Sequence, residues 1–274
     1  MTEFLRTEQR DGVRVLTIDR AESKNAMHGP LRAELRAAFA AADADETVTA
    51  IVLTGVDPVF SAGVDFKNLG RGPDEARGPS ALTPAAAIRA MRKPVICAVN
   101  GACVSGALEV ALSCSFIVAS ERARFADTHA RLGVVPTWGL TALLPRAVGV
   151  RKAREMSVTG AFVDAPEALR LGLVNHVVPH VQLMTFTLDL AARISTNPAV
   201  IEMLSLYDRG EDLSLAGALA LETATSVGRT YDLAAFTATV GTLGANFVWE
   251  MAHTEQTSAD LELPMWMVYL AVRS

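Results

Sequence analysis

"PVICAVNGACVSGALEVALSC", residues 94–114, decides the fold. The stretch is long and apolar, but Asn100, Glu109, two glycines and many small residues suit a buried strand, a turn and a helix better than a bilayer span. PVICAV (94–99) reads as a short buried strand that Asn100-Gly101 ends; Ser105-Gly106 then opens a helix continued by Ala-Leu-Glu-Val-Ala-Leu. FIVA (116–119) is a second short buried strand beyond that helix.

The same alternation extends outward on both sides. VRVLTID (13–19) has the period of a half-buried strand, and LRAELRAAFAAADAD (31–45) switches to helical spacing with good helix formers. AIVLTG (50–55) is a continuous apolar run, and a buried strand after a helix implies a crossover with parallel pairing. RGPDEARGPSALTP (71–84) concentrates Gly, Pro and charge and reads as a mobile surface loop before a short helix. After residue 150 helical patterns dominate, in RKAREMSVTG, in the segment after Ala165, in HVQLMTFTLDLAARIST and in AVIEMLSLYDRG, with one short strand at VNHVV. The chain is therefore α/β, strand–helix to about residue 180 and helical beyond, with no internal repeat and no low-complexity tract. The segment after Thr239 holds Trp249, Trp266, Met251, Met265 and Met267 with weak periodicity. Its ending PMWMVYLAV is too short for a bilayer span and reads as a surface-covering or subunit-contact tail.

Composition narrows the partners. The chain has 274 residues, half of them hydrophobic and a fifth charged, with a net charge of −5, which argues against a disordered or nucleic-acid-binding protein. Any anionic ligand must be held by locally placed donors. Cys97, Cys103 and Cys114 are odd in number and lie in apolar sequence without CxxC or histidines at ligand spacing, so reduced core-filling thiols are expected and no metal. The polar start MTEFLRTEQRDG resembles neither a secretory nor an Arg-rich leader, so a cytoplasmic location is expected.

Three stretches carry chemistry. In FSAGVDF (60–66) the Ala62-Gly63 turn after a strand lets the backbone approach a ligand and leaves the Val64 N–H free to point outward. At the helix opening, the first N–H groups lack intrahelical partners, so the Gly106 N–H can receive developing negative charge. Glu109 sits three residues on, on the same side one turn deeper, and a carboxylate among Ala, Leu, Val and Cys is costly unless paired, hydrogen-bonded or protonated. FADTHARLGVVPTWG (125–139) adds Asp127, His129 and Arg131 just before a glycine, a proline and a tryptophan. Val64 and Gly106 converging on one oxygen beside a carboxylate would stabilise an enolate formed next to a thioester carbonyl.

FSAGVDFKNL, the stretch from KPVICAVNG through ARFADTHARLGVVPTWGLTALLPRAVG, and MSVTGAFVDAPEALRLGLVNHVV together resemble the enoyl-CoA hydratase/isomerase (crotonase) family over about residues 10–210. The resemblance implies a ClpP/crotonase-like spiral of ββα units. It implies an acyl-CoA-binding core at 1–198 and a helical region at 199–274 used to assemble a homotrimer or dimer of trimers. By the family's motifs Val64 and Gly106 are the oxyanion hole and Glu109 the first hydratase glutamate, which activates water. The position of the second glutamate, which handles the α-proton, is His129 here, and Thr137 replaces a glycine that helps hold the water. An imidazole can move protons near neutrality; a structural hydrogen bond to Asp127 or Glu109, or filling of the pocket, are the other roles open to it. For the CoA end the resemblance points to Lys24, the turn Ala62-Gly63 with Asp65 and Lys67, and Arg20. It implies no cofactor beyond the CoA of the substrate.

The function expected is hydration of trans-2-enoyl-CoA in fatty-acid β-oxidation. The alternatives are isomerisation, dehydration or thioester hydrolysis on the same fold, or an idle acyl-CoA-binding protein. A serine hydrolase is disfavoured because Ser61 and Ser105 lack a G-x-S-x-G elbow.

Overall fold

The computed structural model describes residues 4–68 and 83–227. The loop expected at 71–84 lies almost wholly outside these residues, and the tail after Thr239 lies outside them altogether.

The framework is a six-stranded sheet in the order β1 (Leu5–Arg10), β2 (Val13–Ile18), β3 (Ala50–Gly55), β5 (Val95–Val99), β7 (Phe116–Ser120), β10 (His176–Val178). All its pairs are parallel except the β1–β2 hairpin. β3 and β5 are buried at every position, as a parallel sheet covered on both faces requires. Alternation sorts their side chains. Ile51, Leu53, Cys97 and Val99 enter the main core, while Ala50, Val52, Ile96 and Ala98 pack toward α7 (Leu183–Ala192) through Leu183 and Ala191. Helix α1 (Gly29–Ala44) starts at a proline and buries Leu31, Leu35, Phe39 and Ala42 along one face, the spacing that closes a helical stripe.

A second sheet, which the sequence did not suggest, runs in the order β4 (Val59–Ser61), β6 (Ala102–Val104), β8 (Arg124–Ala126), β9 (Val163–Asp164). From β3 to α4 each turn of the chain gives one strand to the large sheet and the next to the small one before a helix returns. Thus β3 is followed by β4 and α2 (Pro84–Arg89), β5 by β6 and α3 (Gly106–Leu112), and β7 by β8 and α4 (Leu140–Val148). This is the ββα spiral expected. Residues 102–104, which the sequence suggested as part of a turn, are β6. α5 (Val150–Thr159) and α6 (Ala165–Leu171) follow, the latter capped by Asp164, whose carboxylate accepts from the Glu167 N–H at 3.0 Å.

The chain divides into two compact units, Met1–Arg209 and Gly210–Ser274, with α8 (Ala199–Gly210) closing the first. The division falls inside the helical region set apart from residue 199. In the second unit α9 (Leu215–Ser226) is capped by the Ser214 hydroxyl. Among the described residues no helix is long and apolar enough to cross a membrane, and no group of three or more His, Cys, Asp or Glu side chains is placed to hold a metal ion.

Candidate active site

The site forms where the small sheet meets the start of α3. After β4 the chain turns through Gly63 at φ +89°. A Cβ there would lie 2.6 Å from the Val104 carbonyl oxygen and 3.1 Å from the Gly106 nitrogen, so only glycine lets the two turns touch. A Cβ on Gly106 would in turn lie 3.4 Å from the Val64 nitrogen. The N–H groups of Val64 and Gly106 donate to no backbone or side-chain acceptor among the described residues, and they are the two expected to converge on one oxygen.

The turn into α3 is strained. Ser105 has φ +50° and ψ −110°, a conformation costing a side chain about 1–3 kcal/mol. It is held from the β8 side. The Ser105 N–H donates to the Ala126 carbonyl at 2.9 Å, its hydroxyl accepts from the Thr128 N–H at 2.9 Å, and the two hydroxyls meet at 2.7 Å. Ser105 thus aims a peptide group, and both it and Ser61 have their hydroxyls engaged. The Ser61 Oγ donates to the Asn25 carbonyl and accepts from the Gly63 N–H, which removes it as a nucleophile.

Glu109, one turn deeper on α3, is 1% exposed. Its Oε1 accepts from the N–H groups of Trp138 and Leu140 at 2.7 and 3.2 Å. Burial pushes its carboxyl above the usual carboxylate range; those two N–H groups and the neighbouring His129 pull it part of the way back. Thr137 itself is exposed. The peptides that follow it are fixed from behind, since Arg89 on α2 donates to the Trp138 carbonyl at 2.9 Å and to the Ser113 hydroxyl at 2.8 Å, and Ser113 donates to the Glu109 carbonyl at 2.8 Å. Arg89 carries no motif in the sequence; only the approach of α2 to the 138–140 backbone shows its role.

His129, 6% exposed, follows β8 at the head of a 3₁₀ turn, Ala130–Leu132. Its Nε2 lies 3.7 Å from the Glu109 Oε2, and its Nδ1 lies 2.6 Å from the Asp127 Oδ1. Of the two structural partners expected, Asp127 is hydrogen-bonded to Nδ1, while the buried Glu109 carboxylate faces Nε2 beyond hydrogen-bond reach.

At the expected CoA end, the loop before α1 and the oxyanion turn are laced together. Ala62 N–H donates to the Lys24 carbonyl at 3.0 Å, Met27 N–H to Gly63 at 2.7 Å, and Asp65 N–H to Met27 at 3.2 Å. Arg20 donates to the Asp65 carboxylate at 2.7 Å and to the Ala26 carbonyl at 2.9 Å, so these two residues face each other. Lys24 and Lys67 are exposed on the two sides of this lacing. Asn25, which the sequence did not single out, is fully buried at φ +54° and donates to the Val56 and Val59 carbonyls, both at 2.8 Å.

Two unspent peptide donors beside a buried acid–imidazole pair suit reactions in which negative charge grows on one oxygen while protons move next to it, the class of acid–base enzymes acting on carbonyl compounds. The profile of the enoyl-CoA hydratase/isomerase family matches residues 8–225, and the chain belongs to that family. It is 39% identical over 224 residues, 80% of this chain and 87% of the relative, to the "Probable enoyl-CoA hydratase" of Rhizobium meliloti (strain 1021). It is 37% identical over 216 residues, 77% of this chain and 80% of the relative, to the "Probable enoyl-CoA hydratase 1, peroxisomal" of Arabidopsis thaliana. Among solved structures, the enoyl-CoA hydratase from Mycobacterium tuberculosis H37Rv superposes with a TM-score of 0.70 at 44% identity, covering 82% of this chain and 97% of that one.

Proposed function

We propose that the protein adds water to the double bond of trans-2-enoyl-CoA thioesters, giving 3-hydroxyacyl-CoA. One observation carries the reading. Glu109 is buried and fixed through Oε1 alone, so that Oε2 is left beside His129 and within one helical turn of the Gly106 donor.

The thioester carbonyl accepts from the Val64 and Gly106 N–H groups. Glu109 takes a proton from water as the water oxygen bonds to the β-carbon, and the electron pair of the double bond moves onto the carbonyl oxygen as an enolate. The cycle starts with both ring nitrogens of His129 protonated; the enolate collapses as the α-carbon takes the proton on Nε2, which leaves a neutral ring with its hydrogen on Nδ1. The proton on Glu109 then returns to His129, 3.7 Å away, a gap that a small rotation of either side chain closes, and the site is restored with one water added. A peptide donor of this kind is worth on the order of a hundredfold or more in rate.

Lys24 and Lys67 are the cations for the CoA phosphates, with the Ala62-Gly63 backbone beside them. The Arg20–Asp65 pair serves as a brace, because its charges are already matched. The reaction needs no cofactor beyond the CoA carried by the substrate. A cytoplasmic β-oxidation step fits the free thiols of Cys97, Cys103 and Cys114, and assembly as a homotrimer or dimer of trimers is assigned to residues 199–274.

The test is loss of conjugated-thioester absorbance on short-, medium- and long-chain trans-2-enoyl-CoA, with product mass measured. Gain of one water supports hydration. Binding of acyl-CoA without turnover on any chain length refutes it.

A further inference from the structure

Asp127 has no part in the steps above, yet the structure spends it on His129. Its Oδ1 accepts twice from that residue, from the backbone N–H at 3.1 Å and from Nδ1 at 2.6 Å. Asp127 is 1% exposed, and the Ser157 hydroxyl on α5 donates to it. Burial alone would raise its carboxyl, but the hydrogen bonds from His129 and Ser157 outweigh burial and hold it below the usual range. An ionised carboxylate can only accept, so Nδ1 carries the hydrogen. The opposite tautomer would set an imidazole lone pair against a carboxylate. Thr128 between them is pinned to Ser105 through both its N–H and its hydroxyl, and Arg131 beyond is anchored to the Thr159 carbonyl at 2.9 and 2.7 Å. The backbone on both sides of His129 is therefore fixed, and the ring is clamped at one nitrogen only.

We infer that Asp127 is the positioning residue of the site: it locks His129 with Nδ1–H toward itself and leaves Nε2 as the nitrogen that exchanges protons with substrate and with Glu109. This rests on the reading of His129 as the α-proton donor. The pair Asp127–His129 thereby does through two residues what an imidazole alone could not. A carboxylate needs no tautomer control, whereas an imidazole has two nitrogens and serves only when the correct one faces the substrate. Partners that orient metal-bound histidines are worth roughly 10- to 100-fold, which sets the scale for this one.

The experiment compares the full chain with D127N, H129Q and the D127N/H129Q double variant on an enoyl-CoA that turns over. Asn keeps an oxygen for the His129 N–H and can donate to Ser157 in place of accepting, so the turn survives while the charge is lost. D127N is expected to lower kcat at least tenfold with KM within about threefold, and to cost nothing further in the H129Q background. In 15N-edited imidazole spectra, the His129 signals, assigned among the five histidines by their loss in H129Q, are expected to show a protonated Nδ1. This measurement on the unmodified chain stands even if D127N does not fold. The inference is overturned if D127N keeps kcat within threefold, if its penalty is the same with and without His129, or if Nδ1 is unprotonated. The last result leaves hydration itself intact. Wild-type turnover in H129Q instead removes the role of His129, and this inference with it.

Discussion

Replacing Glu109 with Gln separates what the carboxylate does for chemistry from what it costs the fold. Glutamine has the same shape, and its Oε1 keeps the two N–H bonds from Trp138 and Leu140, so the backbone of residues 138–140 stays in place. Lost is the ability of the second oxygen to take a proton from water. General-base catalysis contributes about 10²- to 10⁴-fold, so kcat is expected to fall by that factor, about 2.7–5.4 kcal/mol of barrier. Stability is expected to move the other way. Because burial raises the Glu109 carboxyl in the folded protein, the group favours folding most below its unfolded value, about pH 4.3, and that contribution is lost as pH rises through the folded value. The loss amounts to about 1.4 kcal/mol for each unit of the shift. The glutamine variant, having no charge to bury, escapes it, and its Tm is expected to equal or exceed wild type at pH 7 and to fall below it nowhere above pH 5. Steady-state hydration and thermal unfolding across pH 4–8 measure both. Near-wild-type kcat refutes the base; a variant less stable than wild type at neutral pH refutes the account of its burial.

Gly63→Ala is expected to lower kcat by about a hundredfold or more, since its methyl would stand 2.6 Å from the Val104 carbonyl and must displace the Val64 or Gly106 donor; unchanged turnover would show that the hole tolerates the shift. Arg89→Gln touches no reacting atom, yet it releases the Trp138 carbonyl and the Ser113 hydroxyl. It is expected to cost about 1–3 kcal/mol of stability and several-fold in kcat, read from urea melts and kinetics on one preparation. Under native conditions iodoacetamide is expected to label Cys114 alone. Cys97 and Cys103 are fully buried with thiols raised by burial, and mass spectrometry showing either of them labelled would contradict the packing.

The large sheet was readable because its strands announce themselves. AIVLTG and PVICAV are continuous apolar runs, and the switch to helical spacing between them implied the crossovers that produce parallel order. The small sheet was not, because β4, β6 and β8 are three residues each, too short for any period, and are followed closely by turn and site residues. The spiral repeat is likewise a repeat of backbone path, and no pair of its turns shares side chains. β1, polar at every position after Leu5 and exposed at five of its six positions, carries no apolar signal beyond that leucine. At the candidate site, Val64, Gly106 and Glu109 could be singled out from a glycine turn, a helix opening and a stranded carboxylate, and the fold sets the first two side by side with the third one turn deeper. Arg89 and Asn25 were missed because each acts by holding carbonyls that are remote in sequence, 49 residues away for Arg89 and 31 and 34 for Asn25, and a carbonyl leaves no mark on residue type. Arg20 and Asp65 were individually visible as charges, but their mutual pairing depends on a separation of 45 residues.

The lacing between residues 20–27 and 61–65 makes one mechanical part of the proposed CoA margin and the proposed oxyanion turn. In the proposed function the nucleotide portion of the thioester engages one margin of this part and the reacting carbonyl the other. Because the peptide ladder through Lys24, Met27 and Gly63 ties these margins together, grip on the handle of the proposed substrate is expected to be transmitted to the aim of the Val64 donor. Attraction far from the bond being made is thereby converted into rate, and a thioester deprived of its handle is processed slowly as well as held weakly.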